Sequence, residues 1–503
     1  MRNKDNPKVV LVNNIKQVLN KLGDSEMSVS AYDTAWVAKI PDTKDPSVPM
    51  FPQCLAWLQN NQNKDGSWGN RLNPEYYYDK IICTLAAVIT LKIWQNNGMP
   101  LEKYIAKGVK YLNKSMTCLY KNKYRTVGFE ILFPNLFREA VDLKLALSAD
   151  DIIDQIQAIA KKKFERLNFD IIFEKHTALL HSLEGIPIEV IDWDKVIKLQ
   201  DSNGSFLVSP SATAFVFLHT GNEKCLKYLQ SIAANKLGIP TSYPIDIFET
   251  AWCLEILAKL NLDAYFEKEY DKNINILNKY WCNDRGISWS KFFDLPDLDT
   301  SSVVYYLLKK RNLPVGPEAL ERFYKDNRLY CFPGELDSSP TQLLHFLQAY
   351  DGNNSDIIEA AKQQVVPLLN DEWTDKWHLS PYYLTSVAIE PLRATRCFEY
   401  TAIIDFILKN QHPDGGWGIH LSNVEETGWA CMTLFIYLAD ASTGQTINVE
   451  QCLQKGIAFL MKRKASANEP HYIGLWIDKA LYSPYNIINT LINAVILKYH
   501  VLK

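Results

Sequence analysis

The sequence predicts an all-α fold arranged as two helical barrels, and three observations lead there. Apolar residues recur at helix spacing over residues 82–94, 153–164, 251–260, 303–308, 401–408 and 429–438, punctuated by Gly, Pro or Asn-Asp turns. Strand-like alternation of apolar and polar residues is scarce. A short unit also recurs: QNKDGSWG at 62–69 returns as QHPDGGWG at 411–418, with a looser copy, QDSNGSF, at 200–206. Recurrence of this kind marks stacked supersecondary units, here helical hairpins. Copies in both halves of the chain predict two barrels of similar kind.

Within the repeat, Asp-Gly supplies the tight turn after a helix, the ring packs between helix ends, and Gln bonds backbone groups there. The unit is therefore expected to stabilise the fold rather than take part in chemistry. The boundary between the barrels is expected near the charged segment FEKEYDKN at 266–273, after which a new helical pattern begins.

Composition bounds the function. A chain of 503 residues can hold two or three domains with substantial cores. Net charge is -3, the pI is near 6.3 and no long basic run appears, so nucleic acid is not an expected partner. No apolar window is long enough to span a bilayer and the N-terminal stretch shows no secretory signal, so no transmembrane segment and a cytoplasmic location are expected. Ten cysteines without a CxxC pair fit reduced thiols better than a disulfide framework or a zinc site. Rings are abundant: 13 Trp, 26 Tyr and 21 Phe make 12% of the chain. Most fill cores, yet such an excess also suits a pocket for an apolar or cationic species.

The stretch FDLPDLDTSS at 293–302 carries the chemistry. Asp294, Asp297 and Asp299 crowd together just before the apolar run 303–308, which reads as a buried helix. An acid at the start of that helix, facing an interior cavity, is driven toward its protonated form by desolvation and by like charge. A neutral carboxylic acid in an apolar cavity is a proton donor. The plainer alternative is a solvated Asp-rich helix cap.

Six blocks decide between them: SAYDTAWVA at 30–38, GFEILFP at 128–134, LLHSLEG at 179–185, GSFLVSPSATAF at 204–215, YPIDIFE at 243–249 and WIDKALYSPY at 476–485. Their order resembles the class II diterpene cyclases of the copalyl diphosphate synthase type. The resemblance implies two α/α barrels, β and γ, with the active cavity between them and γ inserted into β. Residues 1–22 would then form an N-terminal helix packing with the β domain, 23–268 the γ domain, and 269–503 the β domain carrying the acid motif. Members of this length lack the further domain that ionises diphosphates through a DDxxD motif. The DDIID at 150–154 has that spacing but lies in the γ half, where a solvated acidic face is expected.

In this family the middle Asp of a DxDD motif protonates the terminal alkene of a linear prenyl diphosphate. By resemblance that acid is Asp299 and the first is Asp297, while Thr300 replaces the last Asp. Keeping an Asp neutral near pH 7 needs an upward shift of ~3 pKa units, about 4 kcal/mol. Asp337, at a position where the family carries an Asn, is expected to help Asp297 hold Asp299 protonated. Glu130 is expected to bind Mg2+, and Lys163, with Lys479 as a second candidate, to contact the diphosphate. His181 is the expected terminating base, although Thr241 stands where plant enzymes place an Asn. Trp289, Tyr305, Trp377, Tyr382 and Tyr383 are candidates to stabilise the cation through their faces.

The implied reaction is cyclisation of geranylgeranyl diphosphate to a labdane, halimane or clerodane diphosphate, which a separate class I terpene synthase or a phosphatase would consume. Farnesyl diphosphate leading to a drimenyl product, and a non-catalytic α/α barrel paralogue, are the alternatives.

Overall fold

The computed structural model describes residues 7–148, 151–167, 172–234, 237–332, 335, 338–371, 373–439, 446–465 and 472–502. It divides into two compact units: an inserted unit, Met27–Pro244 with Ile473–Tyr482, and a host unit, Met1–Glu26 with Ile245–Tyr472 and Ser483–Lys503. Helices dominate both. Among the described residues, strands form only two short ladders, Tyr324–Lys325 with Arg328–Leu329 and Trp476–Ile477 with Leu481–Tyr482.

Helix α1 (Pro7–Lys21) belongs to the host unit. The inserted unit holds α2 (Ala31–Ala38), α3 (Pro52–Asn60), α4 (Tyr77–Asn96), α5 (Glu102–Ser115), α6 (Phe129–Asp142), α7 (Asp151–Glu165), α8 (Trp193–Lys198), α9 (Pro210–Thr220) and α10 (Glu223–Ala233). Here α2, α4, α6, the 3-10 segment Ala178–Gly185 and α9 touch in sequence, and α9 closes on α2. Helices α3, α5, α7 and α10 lie outside this ring, each against an inner neighbour.

The rest of the host unit runs α11 (Asp246–Lys259), α12 (Glu267–Tyr280), α13 (Leu298–Lys310), α14 (Glu318–Glu321), α15 (Pro340–Ala349), α16 (Ser355–Asp371), α17 (Pro381–Thr395), α18 (Thr401–Lys409), α19 (Val424–Leu438), α20 (Thr446–Ala465) and α21 (Tyr485–Leu502). Helices α11, α13, α15, α17, α19 and α21 form a closed inner ring, α21 returning to α11. Around it, α1 rests on α21 and α12, α16 on α15, α18 on α17, and α20 on α19 and α21. The sequence explains the layers. Inner helix α11 buries nearly every residue, whereas outer helix α12 buries only Tyr270, Asn273, Ile274 and Leu277, one stripe at helix period.

The repeat fastens the hairpins. In the three copies Gln62, Gln200 and Gln411 donate to the carbonyls of Gly66, Gly204 and Gly415 at 2.8 to 2.9 Å. Gln62 and Gln411 also reach carbonyls on or beside the next outer helix, Tyr104 and Cys452. Trp68 and Trp417 are fully buried and donate to the carbonyls of Leu58 and Ile407 at the preceding helix. Gly66 sits at φ +93°, where a Cβ would meet the Lys107 carbonyl at 2.5 Å, so only glycine fits that turn.

The units divide elsewhere than expected. The crossing lies at Pro244–Ile245, not near 268, and residues 23–26 stay with the host unit. The charged segment at 266–273 covers the start of α12, whose Glu267, Lys268, Lys272 and Lys279 are exposed as on an outer helix. The last barrel stretch is also interrupted, since Ile473–Tyr482 belongs to the inserted unit.

Candidate active site

Asp297 is the N-cap of α13: its Oδ1 accepts from the Thr300 amide at 2.7 Å, and the Thr300 hydroxyl also bonds to it. Thr300 therefore serves the cap where another Asp would add like charge. Asp299 follows in the first turn, its side chain 13% exposed. Burial pushes the Asp297 carboxyl up to about 8. Burial also raises Asp299, Asp375 and Glu255 push the same way, and His345 pulls against them. Asp294, by contrast, is exposed and paired with Arg285.

The partner of Asp299 comes from the neighbouring inner helix. His345 of α15 places Nδ1 2.6 Å from Asp299 Oδ1. Helix α15 is capped by Ser339 and anchored by buried Asp375, which accepts from the Ser339 hydroxyl (2.7 Å), the Thr341 amide (3.2 Å) and the Thr341 hydroxyl (3.0 Å). The residue expected from the sequence in this supporting role, Asp337, lies outside the described residues. The signal for His345 is a lone histidine within the apolar run LLHFL at 343–347 of the helix that follows. Asp297 Oδ2, His345 Nε2 and both polar atoms of Gln342 are buried without a hydrogen-bond partner among the described residues. Buried polar atoms left open in one place are what a site for chemistry leaves behind.

A wall of rings borders this cluster. Trp252 meets His345 edge to face at 5.6 Å, stacks on Phe248 at 4.0 Å and donates to the Tyr383 hydroxyl at 2.8 Å. Trp429 packs on Tyr383 at 5.1 Å. Tyr383 was a sequence candidate; Trp252 and Trp429 were not, and nothing local marks them. Trp289 is half-buried against Phe293 and Phe332, and Trp377 half-buried beneath Lys376.

Two other rings are placed differently from the expectation. Tyr305 lies six residues past Asp299, hence on another face of α13, and donates to Asp351 at 2.5 Å. Tyr306, seven residues on, shares the Asp299 face. Tyr382 packs on Phe406 at 5.5 Å in a surface groove shared with Trp373.

In the inserted unit, Glu130 and Lys163 pair with each other at 2.5 Å. Lys163 is 42% exposed at the last turn of α7, and Glu130 opens α6 after Gly128 at φ +69°. Burial would raise Glu130, but Lys163 and Arg125 hold it below the usual carboxylate range. Asp154 is exposed in the first turn of α7, and Asp150 lies outside the described residues.

The remaining candidates are bound into an interior network. Lys479 is fully buried, its ammonium 2.7 Å from Glu184, 2.6 Å from Ser209 Oγ and 2.7 Å from Ser211 Oγ. All three donors are used, so none remains for a diphosphate. His181 faces Asp478 through Nε2 (2.9 Å) and the Leu207 carbonyl through Nδ1 (3.2 Å). Both nitrogens address acceptors, and a terminating base needs a nitrogen that does not. Asp478 also accepts from Ser242 (2.7 Å) and Thr241 (3.1 Å). Burial would raise it, yet His181, Ser242 and Lys479 hold it well below the usual range. With the Leu481 amide on Asp79 at 2.8 Å, these bonds stitch Trp476–Tyr482 into the inserted unit.

Among the described residues no three His, Cys, Asp or Glu side chains gather to hold a metal, and no helix is long and apolar enough to cross a membrane.

The family model "Terpene synthase, N-terminal domain" matches residues 192–363. Copalyl diphosphate synthase 2 of Selaginella moellendorffii is 39% identical over 343 residues, covering 67% of this chain and 45% of that protein. The bifunctional cis-abienol synthase of Abies balsamea is 36% identical over 384 residues, 73% of this chain and 43% of that one. The chain thus spans less than half the length of these relatives. Among solved structures, ent-copalyl diphosphate synthase of Arabidopsis thaliana superposes with a TM-score of 0.73 at 26% identity, over 97% of this chain and 63% of that one. The Streptomyces platensis ent-copalyl diphosphate synthase shares the fold over 98% and 99%, with a TM-score of 0.76 at 22% identity. In sequence and in fold the chain is similar to the copalyl diphosphate synthases and their bifunctional relatives.

Proposed function

We propose that the chain cyclises geranylgeranyl diphosphate by protonating its terminal alkene, giving a bicyclic labdane, halimane or clerodane diphosphate with the diphosphate retained. The observation that supports this most is Asp299: a carboxyl raised by burial, 2.6 Å from His345 and bordered by rings. An alkene is a very weak base, so the acid must arrive protonated, and His345 occupying Oδ1 leaves Oδ2 to carry the transferable proton. The O–H bond breaks as a C–H bond forms, and the tertiary cation is met by neighbouring double bonds. Trp252, Tyr383 and Trp429 offer faces worth roughly 0.5 to 2 kcal/mol each to a cation and no lone pair that would trap it.

For the head group, Glu130 and Lys163 are the residues of choice in the inserted unit. Magnesium takes few protein ligands and keeps its waters and the substrate's phosphate oxygens. A single carboxylate such as Glu130 fits that manner of binding, and Mg2+ would supply charge neutralisation for the diphosphate. Lys163 then exchanges its partner Glu130 for phosphate. With His181 and Thr241 both engaged with Asp478, the plant-type His/Asn base is not at hand, which leaves methyl and hydride shifts open before termination. The product would pass to a class I terpene synthase or a phosphatase.

Incubation with geranylgeranyl or farnesyl diphosphate and magnesium, followed by phosphatase treatment and mass spectrometry, tests the reading. A cyclised twenty-carbon alcohol is expected; a fifteen-carbon product alone would move the substrate to farnesyl diphosphate. Release of pyrophosphate in step with product would overturn the mechanism.

A further inference from the structure

Behind His345 the row of charged groups continues inward. His345 Nε2 lies 3.8 Å from Glu255 Oε1 on α11, and Glu255 is 2.9 Å from Lys259 Nζ, one helical turn further along. The Glu255 and Lys259 side chains are 8% and 2% exposed, and His345 only 1%. Burying such a pair is costly, and two well-packed apolar residues would serve the barrel at least as well. Their use therefore points to something the barrel alone does not need. Burial would raise Glu255, but Lys259 and His345 together hold it below the usual carboxylate range, so it faces the ring as an anion. His345 thus stands between two carboxyl groups, one at each ring nitrogen.

We propose that Glu255, kept ionised by Lys259, is a positioning residue that holds His345 in its doubly protonated form, so that the ring donates to Asp299 Oδ1 and confines the reactive proton to Oδ2. The proposal rests on the reading of Asp299 as the acid. At 3.8 Å the Nε2 to Glu255 contact is longer than a hydrogen bond but close enough for a charge to act across a water-poor interior. In each turnover the proton leaves Oδ2 for carbon, while His345 keeps both of its own and balances the carboxylate left behind. Asp299 is then refilled on Oδ2 from water once product has gone, and the cation's last proton returns to solvent.

The elements packed against α15 carry further titratable groups. Helix α13 brings Asp299 and Tyr306, the segment before α17 brings Asp375, and α17 brings Tyr383 and Glu390. Asp356 and Glu359 of α16 lie on its exposed side and Lys362 is half-exposed.

The test uses Glu255→Gln in the full chain, with Glu255→Asp as the conservative variant. Since Glu255→Gln leaves Lys259 unpaired, Glu255→Gln with Lys259→Met, which removes both charges together, guards against a folding defect. With geranylgeranyl diphosphate and magnesium, the alkaline limb of kcat is expected to move down by about one pH unit in Glu255→Gln, with KM unchanged and kcat near neutrality about tenfold lower; Glu255→Asp should recover most of it. In parallel, 15N-histidine NMR, assigned by loss of a signal in His345→Asn, should show the ring losing its second proton at lower pH in Glu255→Gln than in the wild type. A folded Glu255→Gln protein with an unmoved ring titration, or a rate that falls equally at every pH, overturns the proposal. The ring titration needs no substrate: a moved titration in a protein that cyclises nothing would leave the electrostatics standing and remove Asp299 as the acid.

Discussion

Two buried clusters of charge, one in each unit, are built to opposite rules. In the inserted unit Lys479 and His181 face Glu184 and Asp478, every Lys479 donor is taken, and both Asp478 oxygens are occupied. In the host unit Asp297 and Asp299 crowd together opposite His345, and Asp297 Oδ2, His345 Nε2 and Gln342 lack hydrogen-bond partners among the described residues. The first arrangement lowers its carboxylate and holds chain segments together; the second raises its carboxyls and keeps a proton available. Burial is common to both, and Glu184 Oε2 in the first also lacks a hydrogen-bond partner among the described residues, so the charge placed beside each buried carboxyl, rather than burial, separates the two.

Substitutions can break that contrast. Asp299→Asn should abolish turnover, a loss of about 10⁴-fold or more, while thermal unfolding changes little, because a buried acid becomes a neutral isostere. Lys479→Met should do the reverse. It strands Glu184 beside Tyr32 and costs about 3–5 kcal/mol of stability by denaturant titration, with the folded fraction still active. His345→Asn should slow product formation about 10²-fold with a small effect on unfolding.

pH sharpens the comparison. The fold holds the Asp297 carboxyl up at about 8, so it favours the neutral form. That contribution is complete below the ordinary carboxylate range and is lost as pH rises through about 8. Asp478 has the opposite sign: its contribution is present above the ordinary range and lost as pH falls below it. Activity should therefore fall as pH rises past about 8, and Asp297→Asn, which keeps a competent cap, should remove the share of that limb due to Asp297 and leave the share due to the His345 ring in a kcat profile. The smallest effect is expected from Tyr305→Phe, which gives up the bond to Asp351 for about 1 kcal/mol and leaves kcat unchanged.

What the sequence revealed was local. All six apolar stretches lie in or at the edge of helices, the Gln-to-Trp unit fastens hairpins as its residue types require, and the acid stretch opens a buried helix. What it hid was spatial. His345 meets Asp299 because α13 and α15 are neighbours in the inner ring, and no spacing within either helix states this. Lys479 and His181 carry the side chains that bind phosphate or move protons, and only their partners 268 to 297 residues away show them to be engaged. Tyr305 and Tyr306 differ by one position, and the face of α13 separates them. The unit boundary was drawn at a run of charge, which in a barrel marks an outer helix as readily as a division.

The most direct test of the central claim is cyclisation of geranylgeranyl diphosphate in deuterium oxide, with wild type and Asp299→Asn side by side. The account predicts one deuterium fixed on carbon in every wild-type product, an intact diphosphate, and no product from Asp299→Asn. Product without deuterium, or an undiminished yield from Asp299→Asn, would contradict it.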